Sequence, residues 1–94
     1  MNITKEITDT RGRYVTVIDG YEAELTFSIM SPKNIIADHT GVPEALGGRG
    51  VGKALVEHMI EDAQENGFRI VPLCPFVKAQ YARHPDWKPV MNGR

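Results

Sequence analysis

The sequence predicts an α/β (α+β) domain built on a mixed sheet, with elements in the order β-β-β-β-α-β-α. Three observations carry that reading. Apolar residues alternate with a period of two as far as Val42, the period changes to 3.6 between Val51 and Asn66, and a short apolar run follows at Ile70 to Leu73. A strand, a helix and a strand in succession form a crossover, which places the two strands parallel.

Ile3 to Ile7 and Arg13 to Ile18 are β-branched stretches separated by Asp9-Thr10-Arg11-Gly12, a composition suited to a turn. Asp19-Gly20 is a stronger turn signal, because a two-residue hairpin turn needs the positive φ that Asp and Gly tolerate. From Tyr21 to Met30 the alternation is clean: Ala23, Leu25, Phe27 and Ile29 point one way, Glu22, Glu24, Thr26 and Ser28 the other. Ser31-Pro32-Lys33-Asn34 turns the chain into a fourth strand, Ile35 to Val42, with Ile35, Ala37 and His39 expected on one face and Pro43 ending it.

Val51, Leu55, Met59 and Ala63 form one stripe of the first helix, widened by Ala54, Val56 and Ile60, and Asn66-Gly67 supplies a C-terminal stop. Pro72 lies within the fifth strand. It has no amide hydrogen for a ladder, so this strand is expected at an edge, or diverging from a neighbour at that point. Pro75 suits the first position of a second helix, running to about Arg83.

A chain of 94 residues holds one core, so residues 1–94 are expected to form a single domain. The formal charge of -1, from 11 basic and 12 acidic side chains, gives no global attraction to nucleic acid or to an anionic membrane. Any anion site must be local. No apolar run approaches the roughly 20 residues that cross a bilayer, and the N-terminal residues Met1 to Glu6 match neither a signal peptide nor a lipidation motif. A cytoplasmic protein, monomeric or weakly dimeric, is expected. Cys74 is the single cysteine, which excludes an internal disulfide, and the three histidines lack metal-ligand spacing.

The densest motif is Leu46-Gly47-Gly48-Arg49-Gly50-Val51-Gly52-Lys53, between a strand and a helix. Glycines let the backbone approach a ligand closely, and free N–H groups at a helix start attract phosphate oxygens. Arg49 and Lys53 add charge. The dinucleotide pattern G-x-G-x-x-G fails, because Leu55 or Lys53 stands where its last glycine is required. The P-loop pattern nearly fits, but Ala54 replaces the hydroxyl that would hold Mg²⁺.

A third pattern, [Q/R]-x-x-G-x-[G/A], is matched by Gly50-Val51-Gly52, with Gly47 standing where Gln or Arg is usual. Together with Asp38-His39-Thr40, Val42-Pro43, Val71-Pro72-Leu73-Cys74-Pro75-Phe76, Tyr81 and His84-Pro85, it resembles the short members of the general-control-related N-acetyltransferase (GNAT) superfamily. The resemblance covers about residues 20 to 87. It implies fourth and fifth strands splayed around acetyl-CoA, the co-substrate, and transfer of acetyl to an amine on a small molecule or a protein.

Carried onto this chain, the resemblance places the cofactor against Val42, Gly47, Gly48, Arg49, Gly50, Val51, Gly52, Lys53 and Pro75. Three residues are catalytic candidates. Cys74 falls at a helix start, where a dipole favours thiolate, and could be nucleophile, base or channel wall. His39, expected on the apolar face near the thioester, suits proton transfer. Tyr81 resembles the tyrosine that protonates departing CoA. The alternative is a non-catalytic CoA or acyl-CoA-binding module; a ligand-free interaction domain would leave the glycine loop unexplained.

Overall fold

The computed structural model describes residues 1–92. The strands are β1 (Thr4–Thr8), β2 (Arg11–Ile18), β3 (Tyr21–Ser31), β4 (Asn34–Gly41) and β5 (Arg69–Pro72), and the helices α1 (Val51–Asn66) and α2 (Pro75–Arg83). Among the described residues they form one five-stranded sheet in the order β1-β2-β3-β4-β5, antiparallel except for the parallel β4–β5 pair. The mixed sheet and the crossover read from the sequence are thus present. Two short 3-10 turns, Glu44–Leu46 and Pro85–Val90, were not expected.

Local chemistry sets the hairpins. Asp9 and Asp19 both take left-handed angles, φ 55° and 53°, so each turn closes in two residues. The turn expected over Asp9 to Gly12 therefore shrinks, and Gly12 enters β2 opposite Phe27. A Cβ at residue 12 would stand 2.6 Å from Phe27 Cε1, so glycine there makes room for the aromatic ring.

The core lies on one sheet face. Tyr14, Ala23, Leu25, Phe27, Ile35, Ala37 and Ile70 point into it, met by Val51, Leu55, Val56, Met59, Ile60 and Ala63 of α1, by Val77 of α2, and by Trp87, Val90 and Met91. Each large side chain so buried contributes about 1.5–3 kcal/mol. α1 ends at Gly67, whose φ of 74° lets its N–H reach Ala63 O at 2.9 Å. On the opposite sheet face Arg13, Glu24 and Thr26 are partly exposed and His39 is exposed. Among the described residues no helix is long and apolar enough to cross a membrane.

Two irregularities shape the end of the sheet that matters below. The β3–β4 register shifts between Thr26 and Phe27: Phe27 faces Ala37, but Thr26 faces His39, so Asp38 is an extra residue in β4. Its carboxylate accepts a hydrogen bond from Ser28 Oγ at 2.8 Å and pairs with Arg11 at 3.5 Å. The β4–β5 ladder stops at Ala37–Pro72, after which Leu73 N–H turns back to Val71 O at 3.1 Å. The divergence expected at Pro72 is there. β5 is the outermost strand, with Ile70 also bridged to Met91 on its free side.

Candidate active site

Beyond β4, Pro43 leads into the Glu44–Leu46 turn, which is anchored by the buried Leu46. The glycine loop follows. Gly48 and Gly50 take φ of 75° and 74°, angles that favour glycine, and nothing lies within 4 Å of a Cβ built on either. Gly50 is the N-cap of α1, with no side-chain cap and no acidic residue in the first turn. The first-turn N–H groups of Val51, Gly52 and Lys53 consequently have no helical acceptor and face the loop. Gly52 packs against α2: a Cβ there would meet Phe76 Cζ at 2.9 Å.

A cleft of about 340 Å³ lies over this loop. Of the sequence-derived residues it gathers Val42, Gly47, Gly48, Gly50, Val51, Gly52 and Lys53. Pro75 and Arg49 are not in its lining. Arg49 is turned instead to Asp19, at 2.9 Å in an exposed ion pair. Gly47 lines the cleft but offers no free donor, since its N–H is bonded to Glu44 O at 2.9 Å. Sequence reasoning missed Phe76, Pro43, Glu44 and Leu46 in the lining. Phe76 had a readable signal, an aromatic side chain directly after the helix-opening proline, whereas Glu44 brings a carboxylate that no motif announced.

The second part of the site is the gap between the ends of β4 and β5. Cys74 N–H rejoins β4 through Ala37 O at 2.9 Å, and Cys74 is the N-cap residue of α2. Its side chain is buried, with Sγ 3.3 Å from Thr40 Oγ1. Tyr81, seven residues on, is half-buried against the core, roughly 10 Å further along the helix axis at 1.5 Å per residue.

His39 is not where alternation put it. The extra residue at Asp38 carries it to the exposed sheet face opposite Thr26, and Thr40 takes the inward position opposite Leu25. The face assigned to His39 is therefore corrected, and Thr40 is the residue that the period-two reading overlooked.

Other polar clusters are structural. Arg13 holds Glu6, Glu22 and Glu24 at 2.8, 2.9 and 2.8 Å, tying β1, β2 and β3 together, and these bonds raise its pKa above the ordinary value. A cavity of about 200 Å³ beside it has neither a glycine loop nor a helix terminus. His58 is half-buried, edge-on to Tyr14 at 5.6 Å. His84 bonds Gln80 O at 2.9 Å and stacks on Trp87.

Comparison with known proteins identifies the family and the fold. Residues 13–90 match the model of the GCN5-related N-acetyl-transferase family. No curated protein matches the sequence. Among solved structures, the chain is similar to a GCN5-like N-acetyltransferase candidate from Staphylococcus aureus, determined by solution NMR. The identity is 30% over 99% of this chain and 91% of that one, with a TM-score of 0.69.

Proposed function

Because the chain belongs to the GCN5-related N-acetyltransferase family and is an enzyme of acetyl transfer, we propose that it takes the acetyl group from acetyl-CoA and passes it to an amine, with residues 1–94 acting as one domain. The observation that carries this reading is the conjunction of an uncapped helix start under an open glycine loop with a broken β4–β5 ladder beside it.

The loop fits a pyrophosphate. Its left-handed glycines present unobstructed backbone, and the first-turn N–H groups of α1 meet a negative charge at the positive end of the helix dipole. Lys53 stands on the rim, and Arg49 reaches the phosphates by exchanging its exposed, solvent-screened pair with Asp19. Val42 and Phe76 supply apolar walls for the pantetheine arm as it runs toward the gap.

In the transfer the amine nitrogen attacks the thioester carbonyl, the C–N bond forms as C–S breaks, the amine loses a proton and the CoA sulfur gains one. Cys74 belongs to the thioester end. As a thiolate its sulfur serves there as acetyl acceptor, taking the group from CoA in a first step and yielding it to the amine in a second, or else as the proton acceptor in place of His39. A mass gain of one acetyl group on Cys74 distinguishes the first use. His39, on the face that no helix covers, takes the proton of an amine arriving from that side, and Tyr81 is assigned as the acid for the departing sulfur. The open face leaves room for a protein or peptide amine as well as a small one.

Calorimetric titration with acetyl-CoA tests the cofactor assignment. Gly50→Val costs roughly 1–2 kcal/mol for a left-handed non-glycine residue and blocks the backbone, so the variant is expected to stay folded while affinity drops at least about tenfold. A Gly50→Val protein that binds as tightly as the parent overturns the pyrophosphate site.

A further inference from the structure

We infer that Thr40 is a positioning residue of the transfer site, whose hydroxyl holds the Cys74 sulfur in the gap between β4 and β5. This rests on the reading of Cys74 as the residue at the thioester. Three independent features of the fold converge on the pair. The ladder between the two strands ends at Ala37–Pro72, and Cys74 is drawn back to β4 by its N–H bond to Ala37 O at 2.9 Å. The two strands are thus held close where Cys74 begins and unpaired where Thr40 lies. Thr40 Oγ1 and Cys74 Sγ then meet across that opening at 3.3 Å, linking residues 34 positions apart in sequence.

The third feature is the extra residue at Asp38. A regular strand carrying Ile35 and Ala37 inward would carry His39 inward and Thr40 to solvent. The inserted residue reverses this, and the reversal is pinned from the open face by Ser28 and Arg11 on the Asp38 carboxylate. A bulge re-aims the side chain that follows it, and here the re-aimed side chain is the one that reaches the sulfur.

Chemistry favours threonine for this task. Valine has the same shape and an equal preference for strands, so packing alone does not call for a hydroxyl. A hydroxyl both donates and accepts: it accepts from a thiol S–H and donates to a thiolate, so the sulfur keeps one orientation through a change of protonation. Thr40 touches neither the acetyl group nor the amine in this account. It acts through Cys74.

The test measures kcat and KM for acetyl-CoA, with a surrogate amine, in the parent, Thr40→Val, Thr40→Ser, Cys74→Ala and the Thr40→Val/Cys74→Ala double variant. A positioning role lowers kcat of Thr40→Val about tenfold or more, leaves KM within about twofold, and is rescued by Thr40→Ser. In the double variant the threonine change adds nothing to Cys74→Ala, because its effect passes through the sulfur. If Thr40→Val keeps parental kcat while Cys74→Ala is impaired, or if the two losses multiply, the inference is overturned and the reading of Cys74 stands. If Cys74→Ala itself keeps parental kcat, both fall. Should Thr40→Val fail to fold by circular dichroism, Thr40→Ala replaces it in the same comparison. Loss in Thr40→Ser equal to that in Thr40→Ala also overturns the inference, since it assigns the effect to the methyl group.

Discussion

The first half of β4, Asn34–Ala37, is paired on both sides, with β3 and with β5, whereas the second half, Asp38–Gly41, is paired with β3 alone. In the first half the side chains alternate between core and open face, and Ile35 and Ala37 are buried. In the second the alternation is shifted by one residue, and the unpaired side opens onto Thr40 and Cys74. One strand therefore serves stability at one end and the proposed site at the other. The site is made by interrupting regular structure: a proline that cannot extend the ladder and an extra residue that redirects a side chain.

Substitutions against the first half, in the second half and remote from both should separate the two roles. The largest stability loss is expected at Phe27→Ala. Phe27 is 1% exposed and sits opposite Ala37 at the last doubly paired position. Removing it costs about 3–5 kcal/mol, read by urea denaturation, a large share of the stability of a chain this short. A loss under about 1 kcal/mol would show that the first half is not the stabilising one.

A smaller effect is expected at Asp62, on α1 and remote from the second half of β4. Its carboxylate accepts hydrogen bonds from Tyr14 Oη, Lys5 Nζ and Asn66 Nδ2, each at 2.7 Å. Burial alone would raise its pKa, but the bonds from Lys5, Tyr14 and Asn66 outweigh burial and lower it from the ordinary 3.8. The folded chain then binds this proton less tightly than the unfolded chain. The stability it contributes is present above the ordinary value and is lost as pH falls through the lower native one. Tyr14 runs the other way: burial first, then the bond to Asp62, raises its hydroxyl well above 10.0, so its contribution is full below that pH and is lost in stronger alkali. Asp62→Asn should flatten the acid limb of melting temperature against pH below about pH 5 and leave acetyl-CoA affinity at neutral pH unchanged. An unaltered acid limb would remove Asp62 from the stabilising set.

The smallest stability effect is expected in the second half. His39→Ala should change stability by under about 0.5 kcal/mol, since the ring is exposed, yet slow transfer on the order of 10²-fold if this imidazole takes the amine proton. Parental turnover would move the base elsewhere.

Much of this was legible in the sequence, for local reasons. Asp19-Gly20, Asn66-Gly67 and Pro75 each limit the backbone by their own chemistry, and the turn, the helix end and the helix start lie where those residues put them. Pro72 likewise marked the strand divergence. The glycine loop was visible because four glycines clustered at the start of an amphipathic helix have little other physical use. His39 was misplaced because period-two counting assumes an unbroken strand, and the extra residue is set by a tertiary contact, Ser28 Oγ to Asp38, that leaves no mark on local hydropathy. Arg49 stands among the loop's glycines in sequence, but its long side chain pairs with the turn at Asp19, 30 positions earlier, a tertiary contact that local sequence does not show.

Acetyl-CoA is proposed to run from the glycine loop into the β4–β5 gap, and backbone-amide NMR during titration with acetyl-CoA reads that path residue by residue. Saturable shifts are expected at Gly48 to Lys53, at Thr40 to Val42 and at Cys74 and Phe76, with the amides of Glu6, Arg11 and Arg13 unmoved. Shifts concentrated around Arg11 and Arg13 on the open sheet face, or the absence of saturable shifts at the loop and the gap, would contradict it.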